Sequence, residues 1–149
     1  MGVSVPSSAA GGSVPEQEDL GLEAAAAVID VRGVLPASIG QLRHLVALSI
    51  VSTGLTGEVP PSLGSIKGLE MIWLDHNPTL GGPIPLTFNQ LNLSVLEIHY
   101  SNFSGALPPL DYLDIADCTM YNDRWSNAGG GRFDCPLPRG AESCGAVCV

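Results

Sequence analysis

Gly33-Val34-Leu35-Pro36, Gly57-Glu58-Val59-Pro60, Gly82-Pro83-Ile84-Pro85 and Gly105-Ala106-Leu107-Pro108 are four copies of one phrase. Their prolines are spaced by 24, 25 and 23 residues. A fixed period in this range is the mark of a solenoid, in which each repeat buries its apolar residues against its neighbours. Such a chain has no natural deep pocket. It offers a long side-chain-bearing face suited to binding other macromolecules.

The residues between the copies share a frame. The second repeat reads Leu42-x-x-Leu45-x-x-Leu48-x-Ile50-x-x-Thr53-x-Leu55-x-Gly57-x-Val59-Pro60. The third reads Ile66-x-x-Leu69-x-x-Ile72-x-Leu74-x-x-Asn77, then Leu80-x-Gly82-x-Ile84-Pro85 after one extra residue. The fourth reads Leu93-x-x-Leu96-x-Ile98-x-x-Ser101-x-Phe103-x-Gly105-x-Leu107-Pro108. Alternation at Leu48/Ile50, Ile72/Leu74 and Leu96/Ile98 predicts short strands with one buried face. Glycine permits a turn that a Cβ would obstruct, and proline fixes φ in an extended segment. Pro36 to Gly40 and Pro61 to Gly64 fit single helical turns with Ile39 or Leu63 inward.

This frame resembles the plant-type leucine-rich repeat, L-x-x-L-x-x-L-x-L-x-x-N-x-L-x-G-x-I-P, from about Val34 to Pro108. The resemblance implies an α/β solenoid: a right-handed superhelix with short parallel strands on its concave face and few short helical turns. The asparagine of that pattern, which bonds to backbone between turns, occurs only as Asn77. Thr53, Ser101 and Cys118 are expected in the equivalent slots, so the ladder should be imperfect. The resulting organisation is a disordered segment over 1–12, a helix or degenerate first repeat over 13–32, repeats over 33–117 and a cysteine-containing cap over 118–149. Ser13-Val14-Pro15-Glu16 reads as a capping box at the start of that helix.

Six basic residues stand against fifteen acidic ones, a net charge of −9. Nucleic acid is excluded as a partner, because its binding needs clustered Lys and Arg. A neutral or basic partner suits this charge. No run of about 18 apolar residues occurs, so no membrane span is expected in this chain.

Cys118, Cys135, Cys144 and Cys148 all fall after the last repeat phrase. They are separated by 16, 8 and 3 residues, without the Cys-x-x-Cys pairs of common zinc folds. The expectation is therefore a disulfide-stapled cap over the open apolar end. Three pairings are possible, and a link from Cys118 to the tail is preferred. Phe133-Asp134-Cys135-Pro136-Leu137-Pro138 resembles an element ending many secreted proteins of this repeat class. Asn92-Leu93-Ser94 and Asn102-Phe103-Ser104 are glycosylation sequons, whereas Asn77-Pro78-Thr79 is excluded by its proline. These features imply an extracellular or cell-surface location. Met1 to Gly12 lacks a basic start and an apolar h-region, so no signal peptide is visible and the chain reads as a fragment or a truncated start.

Function is expected on the concave face. One outward column reads Ser49, Trp73, Glu97 and Asp114; the next Val51, Asp75, His99 and Ala116; the third Ser52, His76, Tyr100 and Asp117; the preceding one Ala47, Met71, Val95 and Tyr112. Trp73, Asp75, His76, Glu97, His99, Tyr100, Tyr112 and Asp114 are thus the candidate partner-binding residues. Exposed aromatics beside carboxylates provide binding anchors and favour Lys or Arg on the partner. Asp75, His76, His99 and Asp117 could reach one metal ion. A flat face, however, excludes no water and supplies no supporting shell, so neither metal nor cofactor is expected. There is no Gly-x-Ser-x-Gly and no phosphate loop. The reading is a non-catalytic protein or peptide recognition module from a larger extracellular or receptor-like protein. The alternatives are an intracellular scaffold with reduced cysteines, a metal-dependent enzyme and a decayed fragment.

Overall fold

The Leu-x-Ile pairs form strands because one side of each must be buried and the next repeat supplies the cover. The computed structural model describes residues 32–120 and 132–148. The expected segment over 1–12 and the stretch from 13 to 31 lie outside them. Strands run in the order β1 (Arg32–Gly33), β2 (Ala47–Ser49), β3 (Gly54–Leu55), β4 (Gly57–Glu58), β5 (Met71–Trp73) and β6 (Leu80–Gly82). They continue with β7 (Val95–Glu97), β8 (Asn102–Gly105), β9 (Asp117–Thr119), β10 (Arg132–Phe133) and β11 (Val147–Cys148).

One parallel sheet has the order β2-β5-β7-β9, and a second the order β4-β6-β8-β10-β11. β1 pairs with β3. In the first sheet, Leu48, Ile72, Leu96 and Cys118 are in register, as are Ser49, Trp73, Glu97 and Thr119. Leu48, Ile50, Ile72, Leu74, Leu96 and Ile98 are all buried, so the strand phase is as expected. Behind them Leu55, Leu80 and Phe103 form another buried row, and Val59, Ile84 and Leu107 a third. Fully burying each such side chain is worth about 1.5–3 kcal/mol.

Between sheets the chain makes 3-10 turns at Ala37–Gln41, Pro61–Ser65 and Leu86–Gln90. Leu63 and Phe88 point inward from two of them. The glycines that open the repeated phrase, Gly33, Gly57, Gly82 and Gly105, have φ of 118°, 78°, 78° and 84°. An L side chain is disfavoured there, which explains why this column is glycine in every copy.

The last repeat departs from expectation. The fourth concave strand is Asp117–Thr119, not the segment around Leu113 and Ile115. Its ladder is Tyr112-x-x-Ile115-x-x-Cys118-x-Met120. Tyr112, Ile115 and Met120 are buried and Cys118 packs against the same core. The segment before it is a turn instead: Leu110 N donates to Pro108 O, and Asp114 N to Asp111 O. Asp111 Oδ1 also accepts from Leu113 N at 3.3 Å, and Leu113 is exposed. Cys118 therefore fills the inward strand position, not the asparagine slot.

The cap closes this end. Disulfides join Cys118 to Cys144 and Cys135 to Cys148, so Cys118 does link to the tail. Phe133, Ala141 and Cys144 are buried against the last repeat. Met120 N donates to Cys144 O at 2.7 Å.

Candidate functional site

The concave columns are set by the first sheet's register. Trp73 lies between Ser49 and Glu97, and the position beyond Glu97 is Thr119, not Asp114. Asp114 is exposed in the turn before β9, outside this register. Tyr112 is not a surface anchor either. It is 1% exposed, with its hydroxyl donating to Pro108 O at 3.0 Å. Asp117 occupies the column of Val95.

Past the strands, the backbone ladder continues in a bent form. Leu74 N donates to Glu97 O and His76 N to His99 O. Ser52, His76 and Tyr100 have φ of 54°, 57° and 52°, the left-handed region that residues other than glycine seldom adopt. This kink folds His76 and Tyr100 back over the column of Asp75 and His99. The His76 and Tyr100 rings have centroids 4.6 Å apart, and His99 is 5.1 Å from each. The structure thus joins three of the expected residues into one ring cluster.

Asp75 lies beneath that cluster. Its side chain is 7% exposed, against 13% for His99 and 47% for His76. Asp75 Oδ2 is 2.7 Å from His76 Nδ1 and 3.9 Å from His99 Nε2. Its other oxygen, Oδ1, is buried without a hydrogen-bond partner among the described residues. His99 Nδ1 lies 2.9 Å from Thr119 Oγ1.

The charges here oppose one another. Burial holds the His99 imidazole below the ordinary histidine value, with His76 adding to that effect and Asp75 and Asp117 resisting it. Burial pushes the Glu97 carboxyl up, and the negative charges of Asp117 and Asp75 add to this; a hydrogen bond from Trp73 offsets part of it. The face therefore concentrates carboxylates around partly desolvated imidazoles. Thr119 and the place of Asp117 were missed in the sequence because the last ladder is written in Tyr, Cys and Met. The spacing Tyr112, Ile115, Cys118, Met120 was the available signal.

The expected sequon residues Asn92 and Asn102 are both exposed. His44 is exposed in the turn before β2.

No protein-family model matches the chain. Receptor-like protein 39 of Arabidopsis thaliana is 33% identical over 93 residues, 62% of this chain and 10% of the relative. Receptor-like protein 6 of the same species is 32% identical over 80 residues, 54% of this chain and 8% of the relative. Among solved structures, the plant peptide hormone receptor RGFR1, in complex with RGF2, gives a TM-score of 0.59 at 27% identity, over 77% of this chain and 18% of the receptor chain. The Arabidopsis receptor kinase HAESA, in complex with the peptide hormone IDA and the co-receptor SERK1, gives 0.54 at 26%, over 63% of this chain and 16% of HAESA. The chain is a plant-type leucine-rich-repeat protein. It spans a tenth or less of the length of these two curated relatives. Among the described residues, no helix of this leucine-rich-repeat chain is long and apolar enough to cross a membrane.

Proposed function

We propose that this leucine-rich-repeat segment is a non-catalytic, extracellular recognition module that binds a protein or peptide on its concave face. The contact residues are Trp73, His76, Glu97, His99 and Tyr100, with Asp75 behind them. The observation that carries this reading is the register of Ser49, Trp73, Glu97 and Thr119 on a parallel sheet whose alternate residues are buried. A surface fixed from behind loses little entropy on binding, and its aromatic rings supply contact area. The carboxylates and the net charge of −9 favour a basic partner. RGFR1 and HAESA, whose structures hold peptide hormones, support a peptide ligand by similarity. Two disulfides suit an oxidising compartment.

The test is a screen of extracellular peptides and ectodomains against the full chain. The wild type is compared with a Trp73→Ala, Tyr100→Ala double variant that keeps its melting temperature. The double variant should lose binding. A partner held equally tightly by both proteins would move the site off the concave face.

A further inference from the structure

A buried carboxylate in this fold lacks half of its partners. Asp75 is more than nine-tenths buried, and Oδ1 makes no hydrogen bond to the described residues. Among the described residues its ion-pair partners are two histidines, with no Lys or Arg. Burying an unsatisfied carboxylate costs free energy unless a cation or donor compensates it. We propose that Asp75, His76 and His99 bind a divalent late first-row metal ion of the zinc class.

The geometry fits that chemistry. One ligand atom from each residue lies within 4.8 Å of the other two. Zinc bonds of about 2.0–2.1 Å in a tetrahedron place donor atoms roughly 3.3 Å apart. The Asp75–His76 distance of 2.7 Å must open slightly and the Asp75–His99 distance of 3.9 Å must close. Two imidazoles and one carboxylate are a borderline donor set that favours zinc over calcium or magnesium.

The surroundings supply what a bare flat face would not. Thr119 Oγ1 engages His99 Nδ1 at 2.9 Å, which orients the ring with Nε2 on the side of Asp75, 3.9 Å from Oδ2. Such outer contacts orient metal-binding imidazoles. The left-handed backbone at His76 directs its ring back onto Asp75. Glu97 and Asp117 add negative charge nearby without serving as ligands. The half-exposed His76 gives the three residues a path to solvent, from which a water or partner group would complete the ion's coordination. Three protein ligands with an open position is the arrangement of zinc sites that take a further group.

The competing state is metal-free, with His76 Nδ1 hydrogen-bonded to Asp75 Oδ2 at 2.7 Å.

Calorimetric titration of the oxidised full chain with Zn²⁺ alone, in a non-chelating buffer, separates the two. The expected result is saturable 1:1 binding. Co²⁺ should give the visible absorption bands of a low-coordinate site. His76→Ala and His99→Ala should each weaken binding at least ~10-fold, and Thr119→Val about 10-fold. His44→Ala should leave binding unchanged. Asp75→Asn, compared where its circular dichroism and melting match the wild type, should likewise weaken binding at least ~10-fold. Absence of saturable Zn²⁺ and Co²⁺ binding by the folded wild type overturns the proposal. So does binding that survives unchanged in the His76→Ala, His99→Ala double variant. The measurement needs no protein partner, so its failure leaves the recognition reading standing.

Discussion

Asn77 Oδ1 accepts both the Thr53 backbone N–H at 2.9 Å and the Thr53 hydroxyl at 2.8 Å. One asparagine thereby ties two successive repeats. Its Nδ2 donates to Ile50 O, Leu74 O and Asp75 O, and its own N–H donates to Ser101 Oγ. Ser101 Oγ in turn donates to Leu74 O at 2.9 Å. Thr and Ser therefore extend the ladder that the asparagine anchors. Asn77→Ala should cost more than ~3 kcal/mol, because it strands several buried backbone groups together. Thr53→Val should cost only about 1 kcal/mol. Chemical denaturation of both variants checks the ordering.

Burial across the first sheet sets a second expectation. Leu74 sits mid-stack and is fully enclosed, while Ser49 lies on the outward column. Leu74→Ala should destabilise by about 2–5 kcal/mol. Ser49→Ala should change stability by less than ~0.5 kcal/mol. Equal losses would mean that the strand faces are reversed, since a slip of one residue exchanges the inward and outward sets.

The contrast between the middle and last repeats shows what a sequence pattern can carry. In the middle repeats the inward positions are Leu or Ile, and the Gly-x-aliphatic-Pro phrase marks the phase. There the strands and the Trp73–Glu97 column were legible. In the last repeat, Tyr112, Cys118 and Met120 fill the same volume with different chemistry. The ladder selects for burial, and Leu113 with Ile115 imitated a strand that the Asp111 turn forbids. The candidate site was legible as a list of residues but not as a constellation. Positive φ at His76 and Tyr100, both non-glycine, leaves no trace in composition. Nor does the burial of Asp75 between the partly exposed Val51 and His99.

The two disulfides should contribute unequally. Cys118–Cys144 closes a separation of 26 residues and Cys135–Cys148 one of 13. Loop-closure entropy gives about 3.5 and 2.9 kcal/mol respectively. The first also crosslinks β9 to the buried Cys144. A Cys118→Ala, Cys144→Ala variant should therefore melt below a Cys135→Ala, Cys148→Ala variant, and both below the wild type. It should also bind more of a dye specific for exposed apolar surface, because the tail segment at Cys144 packs beside the buried Met120. A higher melting point for the first variant would contradict this placement of the cap.

Tyr112 makes alkaline stability diagnostic. Burial raises its phenol well above the ordinary tyrosine value of about 10. The folded state therefore holds this proton more tightly than the unfolded chain does. The resulting stabilisation is fully present below pH ~10 and is lost as pH rises towards the folded value. Tyr112→Phe lacks this term and forfeits only the hydrogen bond to Pro108 O, about 1 kcal/mol at neutral pH. Above pH ~10 the wild type should lose stability faster than the variant, so their difference should shrink and then reverse. Rapid denaturation series at successive pH values measure the two slopes. Parallel slopes for the two proteins would place the Tyr112 hydroxyl in solvent and return the last repeat to the register first read from the sequence.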